Sequence, residues 1–422
     1  MKTKPFYGWW VTVAAFFSFG IAVGIPYYGM PFFYDYYQKD LGWSRPDITF
    51  GFPIAALLTL WVGPVLVHRF SPRKLILIGT ALTCFAFLGF GYMGRALWFY
   101  YLLWFSYVVG YIFSGPIPHQ ILMSQWFRKR RGTAMAVAYL GVGLFGALSA
   151  KGIAKPLTEM FGWHVALQIM GLMMFLAWPL ALFVMKDRPV EMGLFPDGDK
   201  DAQGYVAPEP HNFRFLLRQR SFWLLVIGSF CSIGSIGSIN QHMKLIFQDQ
   251  GFKEQSLLNT TFSDALFAIM LSSIAGRMIM GWLADRFPKK YVMLSTYALV
   301  ALTIPLLHLV KPPGTPYAFA ILFGFGMGAD YMLIPLMAAE QFGANSLARA
   351  MGIILPTDTI GQTWFPYGVA LLRERFGSYD AALAVVFAMA VVGAAAIAML
   401  PKYGRQDETL HVQEPERTAA RR

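Results

Sequence analysis

The 422-residue chain is 56% hydrophobic and only 14% charged, against roughly 25% charged residues in a soluble domain, which excludes an ordinary water-soluble protein. A formal net charge of +12 would suit nucleic acid in a soluble chain. Here the bases gather in short stretches between apolar runs, a pattern that follows membrane topology, so no nucleic-acid partner is expected. Cys84 and Cys231 stand far apart inside apolar runs and match no disulfide or zinc spacing.

In chain order, the first apolar run covers 8–33, too long for the apolar part of a secretory signal and without a small-residue cleavage site, so it is expected to span the membrane. Further runs follow at 48–67, 75–93, 97–127, 133–157 and 163–185. After a polar stretch, six more cover 222–247, 257–283, 291–309, 317–339, 350–372 and 381–400. Each is close to the ~20 residues that cross a bilayer core, and a helix is the one isolated element that satisfies its own backbone in lipid. The predicted fold class is an all-α membrane protein of twelve transmembrane helices. The expected organisation is an N-terminal six-helix bundle at 1–185, a cytoplasmic middle loop at 186–220, a C-terminal six-helix bundle at 221–401 and a cytoplasmic tail at 402–422. Basic clusters at Arg69, Arg73 and Lys74, at Arg128 to Arg131 and at Arg286, Lys289 and Lys290 place both termini in the cytoplasm by the positive-inside rule. The expected location is the cell's inner membrane.

Three markers recur at nearly one offset. Arg69 and Phe70 match Arg286 and Phe287; Ala134 and Met135 match Ala350 and Met351; Glu159, Phe161 and Gly162 match Glu374, Phe376 and Gly377. Each pair occupies the same place in its half, which predicts two pseudo-symmetric bundles, the construction of many secondary transporters.

The connection after the second run reads Gly63, His68, Arg69, Ser71, Arg73, Lys74, and its counterpart reads Gly281, Asp285, Arg286, Pro288, Lys289, Lys290. Both resemble the signature loop of the major facilitator superfamily, in which an acid and a cluster of bases form ion pairs that break as the carrier changes shape. The second copy is close to that pattern, with Pro288 in a usual glycine position. In the first copy His68 stands where the family has Asp, and Ser71 where it has Gly. The resemblance makes Asp285, Arg286, Arg69 and Arg73 the candidate cytoplasmic gate. Tyr7 to Trp10, Leu41 to Arg45, Arg188 to Pro189, Gly193 to Gly198, and Gly276 with Arg277 narrow the likeness to the bacterial branch of monocarboxylate transporters and oxalate:formate antiporters.

A charge at mid-membrane depth costs on the order of 2.5 to 3.5 kcal/mol even on the mildest scale, so each needs a reason. Arg277 in the eighth run, Asp330 in the tenth and Asp358 in the eleventh lie deepest. At about 1.5 Å per residue all three reach similar heights and are expected to converge on one chamber. The family resemblance implies that Arg277 binds a substrate carboxylate, for which its planar fork is suited. Pairing with an aspartate merely to hold helices together is the structural alternative. The lysine that oxalate:formate antiporters carry in the eleventh helix is absent, since that stretch reads Pro356, Thr357, Asp358, Thr359, which argues against a dianion. One base and two acids, joined by an anion, leave a surplus of negative charge, so Asp330 or Asp358 is expected to take up a proton with the anion.

His119, Tyr331 and Trp364 complete the candidate substrate site, with packing as the alternative for each. Lys151, Lys155, His242 and Lys244 fall toward outer helix ends, where bases usually reach for the interface. Gly141, Gly143 and Gly146 fit a dinucleotide fingerprint by letter but lie in an apolar helix. No phosphate-binding loop, zinc motif or nucleophile elbow is found, so neither an enzyme nor a cofactor is expected. The expected partners are a small organic anion, protons and the lipid bilayer, and the chain is expected to work as a monomer by proton-coupled symport of a small monocarboxylate. The rival reading is an exporter of cationic or zwitterionic solutes recognised by the aspartates.

Overall fold

The computed structural model describes residues 6–51, 53–54, 57, 70–127, 130–198, 213–312, 316–342 and 346–401. Among them helices account for nearly all the chain and no strand occurs. Helix α1 covers Gly8–Leu41, running past the apolar limit at 33 because Tyr34, Tyr36 and Tyr37 carry it through the interface until Gly42, at φ 72°, ends it. Helix α2 opens at Arg45–Thr49, where Ser44 and Asp47 cap each other's backbone; most of its remainder lies outside the described residues. Helix α3 is Pro72–Tyr92 and α4 is Leu97–Trp126, broken at Gly115 just ahead of Pro116. The fifth and sixth runs form one helical stretch, Thr133–Val184, divided only at Gly162, where φ 79° turns the chain; α5 is the part before it and α6 the part after. In the second half α7 is Arg220–Asp249, α8 Gln255–Arg286, α9 Lys289–Leu309, α10 Tyr317–Phe342, α11 Leu347–Phe376 and α12 Tyr379–Ala398. Pro335, Pro356 and Pro366 stay inside continuous helices.

The repeat has a structural signature. Gly377, the counterpart of Gly162, ends α11 at φ 74°, so a residue at positive φ, which only glycine adopts freely, leads into the last helix of each half. Helix pairs inside each half approach closely. A Cβ at Gly141 of α5 would lie 1.9 Å from the Phe16 carbonyl oxygen of α1, and one at Gly328 of α10 would lie 1.9 Å from that of Ser273 on α8. Large apolar side chains such as Trp98, Phe183 and Leu309 stand exposed on the outer surface, as a lipid-facing wall requires.

The core is shared at one end and divided at the other. Toward the end distal to Gly8 and Arg220, one apolar cluster joins both halves, with Ile25, Phe32 and Met170 packed with Ile239, Met243 and Phe262. Toward the opposite end there are two cores, one around Val11, Trp126 and Ala138 in the first half and one around Phe222, Met280 and Ile354 in the second. The halves are therefore sealed together distally and separately packed proximally.

Candidate functional site

About two-thirds of the way along α8, Arg277 points out of its own half. Gly276, beside it, packs so tightly on α10 that a Cβ would sit 2.0 Å from the Phe325 carbonyl oxygen, which fixes the rotation of α8. The Arg277 Nε donates to the Gly328 carbonyl at 3.0 Å, and its Nη1 reaches across to the Tyr139 carbonyl on α5 at 3.3 Å. Arg277 is half-buried. Among the described residues no acid pairs with it, and Nη2 keeps its donors without a protein acceptor. Tyr28 and Tyr139 flank the guanidinium, and Tyr331 of α10 lies with Tyr27, Tyr28 and Tyr111 from the other half. Gln120 donates to the Tyr139 hydroxyl at 2.6 Å, and Gln362 of α11 to the Tyr27 hydroxyl at 2.8 Å. The result is one cation in an aromatic, hydroxyl-rich wall between the halves, suited to a small solute with one anionic group.

Asp330 and Asp358 do not share this space. Gly328 faces α8, and two residues further along α10, about 200° round the helix, Asp330 faces α7 and α9 instead. Its Oδ2 accepts from Ser232 of α7 at 2.8 Å, while Asp358 Oδ1 accepts from Ser229 of α7 at 2.6 Å. Tyr297 of α9 neighbours both carboxyl groups. Both aspartates are buried, at 0% and 2% exposure. The expected convergence of Arg277 with the two acids is thus corrected: shared height does not imply shared direction.

A third constellation closes the distal end. Lys244 of α7 is fully buried and pairs with Asp35 of α1 at 2.7 Å, with the Phe32 ring 3.9 Å from its Nζ. Arg45 at the start of α2 grips Asp249 at the end of α7 through two bonds of 2.9 and 2.6 Å, and Arg373 of α11 donates to the same carboxylate at 2.9 Å. Gln255 also reaches Asp35, Asn259 reaches Tyr36, and Lys151 pairs with Asp264. Lys244 was expected to reach for the interface; its length instead serves a buried pair between the halves. Asp35, Asp249 and Arg373 were not singled out in the sequence, and Arg45 entered only as the end of the Leu41 to Arg45 stretch. The signal for them was the polar run Asn240, Gln241, His242, Lys244 in an otherwise apolar helix.

The family model described as Major Facilitator Superfamily matches residues 1–150, 117–366 and 254–420. The chain belongs to the Major Facilitator Superfamily. Its members are membrane transporters, not enzymes, and this transporter is a multi-pass membrane protein of twelve helices in two bundles. It is 23% identical over 369 residues to the uncharacterized MFS-type transporter YcxA of Bacillus subtilis, covering 84% of this chain and 85% of that one. It is 22% identical to monocarboxylate transporter 10 of Rattus norvegicus over 94% of this chain and 78% of the relative. The crystal structure of a bacterial homolog of the human lysosomal transporter Spinster, inward-facing and unoccupied, superposes with a TM-score of 0.62 at 14% identity, covering 94% and 95% of the two chains.

Within the transporter the remaining candidates scatter. His119 is buried inside the first half, its Nδ1 donating to the Gly115 carbonyl at 2.8 Å and its Nε2 3.4 Å from the Ser18 hydroxyl, with Phe19 stacked on the ring; both nitrogens are engaged, and none is left for a solute here. Trp364 is exposed and sits about 200° round α11 from Gln362, on the side away from Tyr27, so Gln362 takes the place expected for it. Of the gate candidates, Arg69 and the Asp285 side chain lie outside the described residues. Arg286 lies over the Trp282 ring at 3.9 Å. Arg73 donates to the Leu182 carbonyl at 2.6 Å and its backbone to Asp187 at 2.9 Å, tying α3 to the end of α6 without bridging the halves.

Proposed function

We propose that this transporter carries a small organic monocarboxylate by alternating access, together with a proton. The observation that carries the reading is Arg277, a guanidinium between the bundles that, among the described residues, has no acid on it and no acceptor at Nη2, leaving those donors for a carboxylate. The names of relatives as monocarboxylate transporters, at 22% to 24% identity, support the same substrate class. The rival reading, export of cationic solutes, needs an acid lining the space between the bundles; Asp330 and Asp358 are instead buried against α7.

Arg277 alone leaves the central space at +1, which an anion neutralises, so the proton is not needed there. It is needed in the second constellation, where two carboxylates ionised together without a cationic partner would be costly to bury. A proton on Asp330 or Asp358 weakens that repulsion and alters the hold on α7, the helix that carries Lys244 and Asp249. With both termini in the cytoplasm of an inner membrane, as the basic loops favour, the sealed distal end faces outward, Lys244 with Asp35 forms the outer lock, and the conformation described is the inward-facing one.

The test is uptake by reconstituted vesicles carrying an inward proton gradient, offered labelled lactate, pyruvate, acetate, amino acids and cationic dyes. A carboxylate is expected to accumulate, and to stop accumulating in Arg277→Ala. Unchanged carboxylate uptake in that variant would refute the site; uptake indifferent to the proton gradient would remove the coupling step.

A further inference from the structure

Three buried oxygens around the two aspartates make no hydrogen bond of full geometry among the described residues: Asp330 Oδ1 on α10, Asp358 Oδ2 on α11 and the Tyr297 hydroxyl on α9, which approaches Asp330. All three side chains are at most 2% exposed, and Tyr297 neighbours both acids. The other carboxylate oxygens are held by Ser232 and Ser229, three residues apart on one face of α7. Four helices thus contribute five hard oxygen donors around a negative centre. The remaining ionisable groups that face it are Tyr331 of α10, near Asp358, and Cys231 of α7, near Tyr297; no lysine, arginine or histidine does so among the described residues.

A proton alone completes this centre poorly. One proton adds a single donor to a centre that holds three unpartnered oxygens. A metal ion is not so limited: it draws in several lone pairs at once and supplies the missing positive charge. Hard oxygens of carboxylate and hydroxyl type select a hard cation and disfavour soft metals, and an ion that exchanges charge for charge with a single proton is monovalent.

We propose that Asp330, Asp358, Tyr297, Ser229 and Ser232 form a sodium site inside the C-terminal bundle, in which sodium and the proton compete. This rests on the preceding reading only in making the site a coupling site; binding of the ion itself is independent of Arg277 and of any organic substrate. Sodium held there ties α7 to α9, α10 and α11, whereas a proton satisfies one acid and leaves the others apart.

The experiment uses the purified full-length transporter in detergent, without organic substrate. Its thermal unfolding midpoint is measured in sodium chloride and in choline chloride at equal ionic strength, at pH 8 and at pH 5.5. The expected result is a midpoint about 3 °C or more higher in roughly 100 mM sodium than in choline at pH 8, with the difference shrinking at pH 5.5 as protons displace the ion. Asp330→Asn and Asp358→Asn are expected to abolish the difference, Tyr297→Phe to raise the half-saturating sodium concentration several-fold, and Arg277→Ala to leave it unchanged. Equal midpoints in sodium and choline at both pH values would overturn the proposal, as would a sodium effect that persists in both asparagine variants. Should either variant fail to fold, radioactive sodium binding to the wild-type protein, displaceable by acid, decides alone: saturable binding supports the site and its absence removes it. Loss of carboxylate transport in Arg277→Ala with sodium binding intact separates failure of the substrate reading from failure of this one.

Discussion

Arg277 combines two properties that a lysine could not supply, a fixed fork and hydrogen bonds to two helix carbonyls from opposite halves. Replacing it with lysine keeps the charge but loses the paired donors, and the expected cost is about 1.4 kcal/mol, a tenfold rise in KM for the carboxylate, measured as initial uptake in vesicles. His119 should behave in the opposite way. Its nitrogens serve Gly115 and Ser18, so His119→Phe is expected to lower the unfolding midpoint, since it leaves a buried carbonyl and hydroxyl unpaired, while KM stays within about twofold. A KM change as large as that of the Arg277 variant would return His119 to the solute site. Sequence alone made these two residues look alike, both polar groups deep in apolar helices. What separates them is rotation about the helix axis. Height follows from residue number at a fixed rise, whereas direction is set by which neighbour packs on which face, and that was not legible. Asp330 shows this most plainly, since residue number gives its distance along α10 whereas its bearing was settled only by Gly328 lying against Ser273.

At the scale of elements, α7 links two constellations that the linear sequence kept apart. It is an unbroken helix, Arg220–Asp249, with Ser229 and Ser232 on the acid pair and Lys244 and Asp249 on the distal lock; the twelve residues from Ser232 to Lys244 span about 18 Å. A change in the hold on its middle is therefore carried to its end. Truncating Lys244 to alanine strands Asp35 as a buried unpaired charge, a loss of roughly 3 to 5 kcal/mol that falls on the sealed conformation because only there do the two meet. Lys244→Ala is expected to raise the labelling rate of a reporter cysteine placed at Tyr36 at least tenfold over the same reporter in the wild type. Replacing the pair together, Lys244→Met with Asp35→Leu, should restore most of the protection, since apolar side chains of similar size substitute well for a buried ion pair. If the single variant labels no faster, the pair does not hold this end shut. The repeat was legible at this scale because the positive-φ positions at Gly162 and Gly377 require glycine and so leave a mark in the sequence; the pairing of Lys244 with Asp35 joins positions more than two hundred residues apart and leaves none.

The whole molecule has one core distally and two proximally, and that asymmetry makes a mechanical prediction. Within each half the helices are locked by backbone-to-backbone contacts, such as Gly141 on Phe16 and Gly328 on Ser273, which cannot loosen gradually. Between halves the distal contacts are side-chain pairs and apolar packing, which can part and reform. Motion should accordingly occur as rotation of two rigid bundles, with the shared distal cluster opening as the two proximal cores close on each other. Tyr36 and Asn259, whose side chains meet across the halves at 2.7 Å, offer a place to stop it without touching the ion pairs. With both positions changed to cysteine and the buried native Cys84 and Cys231 changed to alanine, a bis-methanethiosulfonate reagent about as long as a tyrosine side chain, which forms a disulfide at each end with loss of sulfinate, should join the halves in the sealed state. Transport is expected to fall to background after cross-linking and to return when a reductant cleaves the bridge, whereas either single-cysteine variant treated alike should keep its activity. Turnover that continues with the bridge intact would mean that the distal end need not open, and a carrier working by rotation of two bundles would be excluded.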